Sequence, residues 1–170
     1  SGCGGALRVA VVGAGVAGLE LAFCLEARLR AGGVRAELHL VGDAAELAPG
    51  QPPGLARRAR REALRRGIEL HLPARVVAVE KDCVRLEGDE EGLACDLVVW
   101  ATGAAPPPLL AASELPHDAR GFVRVEDTLA VVGALGLFAA GDCAALDAHP
   151  WVPRAGVYAV REGKVLDANL

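Results

Sequence analysis

Three glycines at positions 13, 15 and 18 constrain this chain more than any other feature, because they stand between a strand pattern and a helix pattern. Arg8-Val9-Ala10-Val11-Val12 is a short β-branched run. Leu19, Ala22, Phe23 and Leu29 then recur near helical spacing until Gly32-Gly33 stops them. Arg35 to Val41 alternates polar and apolar side chains and ends at Gly42-Asp43, so a second strand follows within the length of one crossover. The outcome is a βαβ unit whose opening loop is Gly13-Ala14-Gly15-Val16-Ala17-Gly18. In that setting Gly13 permits the tight turn, Gly15 lets backbone approach a pyrophosphate, and Gly18 lets the helix pack against the strand. The helix N-terminus then faces the anion. A glycine-rich turn that binds nothing is the plainer alternative.

In such units an acidic side chain at the end of the second strand holds the ribose hydroxyls of a bound dinucleotide. The corresponding position falls on Gly42, with Asp43 immediately after it. Two roles are open to Asp43: to bend back to the ribose, or to end the strand in a turn. No arginine adjoins it to clamp a 2′-phosphate, which tilts the choice toward NADH and leaves NADPH open.

Beyond the unit, Pro49-Gly50-Gln51-Pro52-Pro53 is a loop by composition. Residues 54–66 read as a helix with Leu55, Ala59 and Leu64 turned inward, its arginines forming a solvated outer face and Gly67 capping it. Ile68 to Leu72, Val76 to Glu80 and Cys83 to Leu86 read as three strands of an antiparallel meander, with Lys81-Asp82 as a two-residue turn. Asp96 to Ala101 is a continuous apolar run of the kind buried on both faces of a parallel sheet, and it breaks at Thr102-Gly103. Phe122 to Val125 and Leu137 to Ala140 read as further strands, and Ala155 to Leu170 as a terminal helix.

Charge and cysteine usage narrow the function classes. Eighteen basic against 22 acidic side chains give a formal charge of −4, which supplies no field to attract nucleic acid or an anionic membrane. The longest uncharged apolar stretch, Leu129 to Ala140, is shorter than the roughly 20 residues that cross a bilayer. Glycines interrupt the apolar run from Arg8 before any secretory cleavage site. The cysteines at 3, 24, 83, 95 and 143 form no C-x-x-C pair, so a reducing, cytoplasmic setting is expected, with Cys24 and Cys143 as packing residues. His39, His71, His117 and His149 show no ligand spacing, and no metal is expected. With 52% hydrophobic but only 4% aromatic residues, the core has to be built from Ala, Val and Leu.

Three motifs in order, GAGVAGLE at 13–20, WATGAAP at 100–106 and FAAGD at 138–142, make the chain similar to pyridine nucleotide-disulfide oxidoreductase-like flavoproteins. It most resembles the branch with type II NADH dehydrogenase-like proteins and the flavoprotein module fused to selenide, water dikinase, whose ends resemble RAGVYAVREGKVLDANL at 154–170. The resemblance implies an α/β, Rossmann-like three-layer fold with a parallel sheet and an antiparallel β-meander. It also implies an NAD(P)H-binding domain over residues 1–104 and the C-terminal portion of an FAD-binding domain over 105–170. Glu20 then lies near the nicotinamide, and Thr102-Gly103 mark the crossover between domains. Asp142 of the Gly141-Asp142 pair binds the flavin ribityl chain, and Ala155, Gly156 and Val157 open a helix facing the flavin's pyrimidine edge.

The chain also departs from that family. Seven residues precede the first strand, so the earlier glycine loop that binds the ADP half of FAD is missing, as is the redox cysteine pair of the disulfide-reducing members. The expectation is a piece of a longer protein, or the partner of another polypeptide, with Leu137 to Ala140 an inner strand seeking substitute neighbours. In the whole enzyme hydride passes from nicotinamide to flavin and no side chain acts as nucleophile. The alternatives are an NAD(H)-binding sensor without turnover and a structural module that binds no nucleotide.

Overall fold

The computed structural model describes residues 5–170, so Cys3 lies outside it. Within it the chain divides into two compact units, the first ending at Thr102 and the second running from Gly103 to Leu170. In chain order the first unit holds β1 (Leu7–Val12), α1 (Val16–Ala31), β2 (Ala36–Val41), α2 (Pro53–Arg65), β3 (Glu69–His71), β4 (Val76–Val79), β5 (Cys83–Leu86), β6 (Leu93–Ala94) and β7 (Leu97–Trp100).

Four of these strands form one parallel sheet in the order β3-β2-β1-β7. Successive residues of a strand point to opposite faces, and the two faces here bury different partners. Val9, Val11, Leu38, Leu40 and Ile68 pack with Leu19 and Ala22 of α1 and Ala59 and Ala63 of α2. Ala10, on the opposite face, packs with Val84 and Cys95, and Val76, Leu86, Leu93 and Val98 close that cluster. These come largely from the antiparallel sheet β4-β5-β6, so the unit has three layers: helices, parallel sheet, meander. The β4–β5 turn closes with the Glu80 amide donating to the Cys83 carbonyl at 2.9 Å across Lys81-Asp82.

Several expectations about individual elements are corrected. The segment starting at Ile68 does not belong to the meander: β3 pairs in parallel with β2, because Ile68 and Leu70 alternate onto the helix-covered face. The inward face of α2 is Ala56, Ala59 and Ala63, while Leu55 and Leu64 are 46% and 57% exposed. Small residues let the helix lie close to the sheet, and the leucines fall to its flanks. The arginines at 57, 58, 60 and 61 do form the solvated face. β2 is buried continuously from Leu38 to Val41, as an inner parallel strand must be. β7, by contrast, is the edge of the sheet and leaves Trp100 56% exposed. Cys24 is exposed on α1, not packed inside.

The second unit holds α3 (Pro108–Ala111), β8 (Val123–Val125), a 3-10 turn at Gly141–Cys143, β9 (Ala144–Leu146) and α4 (Gly156–Asn169). β8 and β9 pair in parallel over a core of Val123, Val125, Leu129, Val131 and Ala144. Leu137 to Ala140 is not an inner strand. It folds back on residues 129–131 through one antiparallel bridge, Ala130 with Phe138, flanked by Val131 N–H to Leu137 O (2.8 Å) and Ala139 N–H to Leu129 O (3.0 Å). Gly133 and Gly136, at φ +73° and +74°, turn the chain back so soon that no longer ladder forms. Among the described residues no helix is long and apolar enough to cross a membrane.

Candidate functional site

The loop after β1 is held by its backbone. Gly13 N–H donates to Val41 O at 2.8 Å, and its φ of +116° is one that side-chain-bearing residues rarely adopt. A Cβ on Gly13 would overlap the carbonyl oxygen of Ala101, and one on Gly18 would overlap the carbonyl oxygen of Gly13. These two glycines are therefore required by packing: Gly13 against the strand end at Ala101, Gly18 between α1 and the turn. Gly15 differs. It sits in extended backbone (φ −69°, ψ −178°) at the N-cap of α1, and nothing lies within 4 Å of where its Cβ would be. No side chain caps the helix there, and its first turn carries no acidic residue. The leading amides of α1 and the positive end of its dipole thus stand uncapped by any side chain beside a Cβ direction that is empty at Gly15, an end suited to an anion. Val16 and Ala17, in the first turn, are exposed, while Ala14 is buried.

Two further segments reach this loop. Ala101 N–H donates to Val12 O at 2.7 Å, which brings Thr102 beside Gly13 at the carboxyl ends of β1 and β7. On the other side Ala48 N–H donates to Ala14 O at 2.8 Å, so the chain following β2 lies against the loop. Gly42 is buried there, and a Cβ on it would collide with the Ala14 methyl group and come within 2.9 Å of Leu72 Cδ2. The position where a ribose-binding acid is expected therefore has no room for a side chain, and the first carboxylate available is the exposed Asp43. Glu20 is exposed on α1, one turn beyond the loop, and lines a cleft of about 500 Å³ with Val16, Leu19, Phe23, Leu55 and Arg58. Leu55, one of the two leucines of α2 that miss the core, faces this cleft instead.

The second unit carries its own cavity, of about 330 Å³, bounded by Asp118, Gly141, Asp142, Arg154, Ala155 and Glu162 among others. Gly141, at φ +73°, turns the chain into the 3-10 helix, and its N–H donates to the Glu162 carboxylate of α4. Asp142 and Ala155 line the cavity, whereas Gly156 and Val157 stand exposed on the first turn of α4 outside that lining. Gly103, at the start of this unit, is exposed.

Sequence reasoning did not single out Asp118 or Arg154. Arg154 stacks its guanidinium 3.5 Å from the Phe122 ring centroid and donates to Asp118 at 3.2 Å. Its Nε is buried with no hydrogen-bond partner among the described residues. Burial pushes the Asp118 carboxyl up, but the amides of Phe122 and Arg120 and the Arg154 charge outweigh it and hold it below the ordinary range. The signal available was weak: an arginine just before a helix start and an aspartate before a glycine turn.

The histidines show no ligand spacing along the sequence, yet the fold brings two of them together. His39 Nδ1 lies 3.2 Å from His71 Nε2 and 3.3 Å from Glu69 Oε2, because the β2–β3 register sets residue 39 beside 69 and 41 beside 71. His117 and His149 are not part of this cluster.

A parallel sheet layered between helices and a meander, with an unobstructed glycine turn at the carboxyl end of its first strand, defines a dinucleotide-binding type of α/β protein. Residues 4–163 match the model of the pyridine nucleotide-disulphide oxidoreductase family, and the chain belongs to that family. It is 31% identical over 138 residues to demethylphylloquinone reductase NdbB of Synechocystis, an alignment covering 80% of this chain and 33% of that protein. An NADH dehydrogenase-like protein of Mycobacterium tuberculosis is 35% identical over 147 residues, covering 82% of this chain and 36% of its own length. The structure of an FAD-dependent pyridine nucleotide-disulphide oxidoreductase from Desulfovibrio vulgaris superposes with a TM-score of 0.73 at 27% identity, over 100% of this chain and 44% of that one. The chain thus spans about a third of the length of the curated relatives it matches.

Proposed function

We propose that this chain is the NAD(P)H-binding portion of an FAD-dependent oxidoreductase that passes hydride from nicotinamide to flavin. The observation that carries the reading is the contrast within the glycine loop: Gly13 and Gly18 are closed in by backbone, while Gly15 alone opens onto free space at the tip of α1. A filled cradle would have argued against a diphosphate.

The role of each segment follows from its placement. The Gly13–Gly18 loop binds the pyrophosphate through the amides that follow Gly13, whose own N–H is held by Val41 O, and Asp43 accepts from the ribose hydroxyls in place of the side chain that Gly42 cannot carry. Glu20 borders the nicotinamide in the cleft beside α1, with Val16, Leu19 and Phe23 keeping water from the ring's face. Thr102 and Gly103 carry the chain out toward flavin-binding residues. In the second unit Asp142 accepts hydrogen bonds from the ribityl hydroxyls, and the start of α4 at Ala155, Gly156 and Val157 favours negative charge at the pyrimidine edge. When bound, the flavin and nicotinamide supply the redox chemistry, and the chain supplies alignment and electrostatics. The rest of the FAD site belongs to sequence beyond this chain or to another polypeptide, and the setting is cytoplasmic.

The test is titration of NADH and of NADPH against the protein, with and without FAD, followed by tryptophan fluorescence and nucleotide emission. Gly15→Leu places its Cβ where nothing lies within 4 Å and extends over the diphosphate position, so it should stay folded, losing only the better N-cap, and weaken nucleotide binding at least tenfold. Binding unchanged in that variant, or no binding by the parent at millimolar nucleotide, would overturn the reading. Bleaching of added FAD by NADH would exclude a nucleotide sensor without turnover.

A further inference from the structure

We propose that His39, Glu69 and His71 form a binding site for a divalent transition-metal ion of the zinc class, on the opposite face of the sheet from α1 and α2. Their ligating atoms all lie within 4.8 Å of one another, on two strands whose pairing fixes them. Zinc bound at about 2.0–2.1 Å in a tetrahedral site spaces its nitrogen and oxygen ligands about 3.3 Å apart. The distances from His39 Nδ1, 3.2 Å to His71 Nε2 and 3.3 Å to Glu69 Oε2, match that spacing, while the third edge, Glu69 to His71, is longer though within 4.8 Å, and rotation of the exposed Glu69 side chain would close it on the ion.

Without an ion, the two contacts of His39 Nδ1 have to share a single proton. If Nδ1 of His39 carries the proton, it has two acceptors competing for one hydrogen. If His71 donates instead, the Nδ1 lone pair of His39 faces the carboxylate oxygen of Glu69, which is repulsive. A cation between the three would take one lone pair from each and remove that competition. His39 is buried and thereby oriented, whereas Glu69, with its side chain 67% exposed, leaves an approach for the ion and a position for water.

The location gives the site a consequence. β3 is the short edge strand of the sheet, and its last residue, His71, accepts from Gly42 N–H at 3.1 Å. An ion on His39 and His71 ties that edge to β2 directly below the Gly42-Asp43 turn. The inference stands independently of nucleotide binding.

The protein, stripped with chelator, is titrated with Co²⁺ and then with Zn²⁺. One equivalent of cobalt should give the strong visible d–d bands of a four-coordinate site with nitrogen and oxygen ligands. Zinc should displace it and raise the melting temperature. His71→Asn and Glu69→Gln lie at partly or largely accessible positions, so each should stay folded and weaken cobalt binding at least tenfold, and the double variant should abolish it. The proposal is overturned if no such bands appear at millimolar cobalt, if thiolate charge-transfer bands show that cysteines hold the ion, or if the folded double variant binds as the parent does.

Discussion

At the scale of single residues, the glycines of the opening loop have different physical duties, and substitution separates them. Gly18→Ala would drive a methyl group into the Gly13 carbonyl, a backbone atom that cannot rotate away. Helix α1 must then lift from β1, at a cost of about 1–3 kcal/mol or more, in the range of overpacked cores. Gly15→Ala meets nothing within 4 Å and keeps an ordinary extended backbone. In urea denaturation the midpoint should fall further for Gly18→Ala than for Gly15→Ala, which loses only the N-cap preference of glycine over alanine; equal midpoints would contradict the packing roles. These duties were legible in the sequence because the motif is local, with strand, turn and helix following within a dozen residues. The His39, Glu69 and His71 cluster was not, since about 30 residues separate its halves and only the register of β2 against β3 joins them. Gly42 lay between: its misfit to the expected acid was visible, but the Ala14 methyl group that excludes a side chain was not.

At the scale of elements, the outer strand β7 is fastened to β1 at its start by charge. Arg8 donates to Asp96 through its guanidinium at 2.6 and 3.2 Å, and its backbone N–H adds a third bond at 2.8 Å. The side-chain bond from Arg8, then its amide and its charge, bring the Asp96 carboxyl down from an ordinary 3.8 to about 2. A carboxyl depressed by folding contributes stability that is complete above its unfolded value and is lost as pH falls through the folded one. The parent should therefore lose stability between about pH 4 and pH 2 more steeply than Asp96→Asn, measured as melting temperature against pH. The pair is half exposed, so added salt should shrink the difference. Parallel slopes would mean that the bond does not couple to folding. The errors of sequence reading also sit at this scale. Apolar periodicity on α2 pointed to leucines, but close approach to the sheet selected alanines. The run at Asp96 to Ala101 has the composition of an inner strand, yet its place at the sheet's edge is set by pairing partners that composition does not encode.

At the scale of the whole molecule, the units differ in how completely each is built from its own chain. Both cores of the first unit, the helix-side cluster and the meander-side cluster, draw all their residues from before Thr102. β7, although late in sequence, pairs with β1 inside that unit, and Ala101 closes the ladder on Val12. A chain of about 100 residues with its own core is large enough to fold alone. A protein cut after Thr102 should unfold in one cooperative transition, and it should bind NADH within about threefold of the longer chain, since the glycine loop, Asp43 and Glu20 all lie within it. The second unit rests on two three-residue strands and a helix, α4, with no buried residue, so residues 103–170 should show no cooperative melting when made alone. Calorimetry on the two pieces decides both halves of this expectation. A first piece that fails to fold, or a second that melts sharply, would mean that the division at Thr102 does not follow the lines of independent stability.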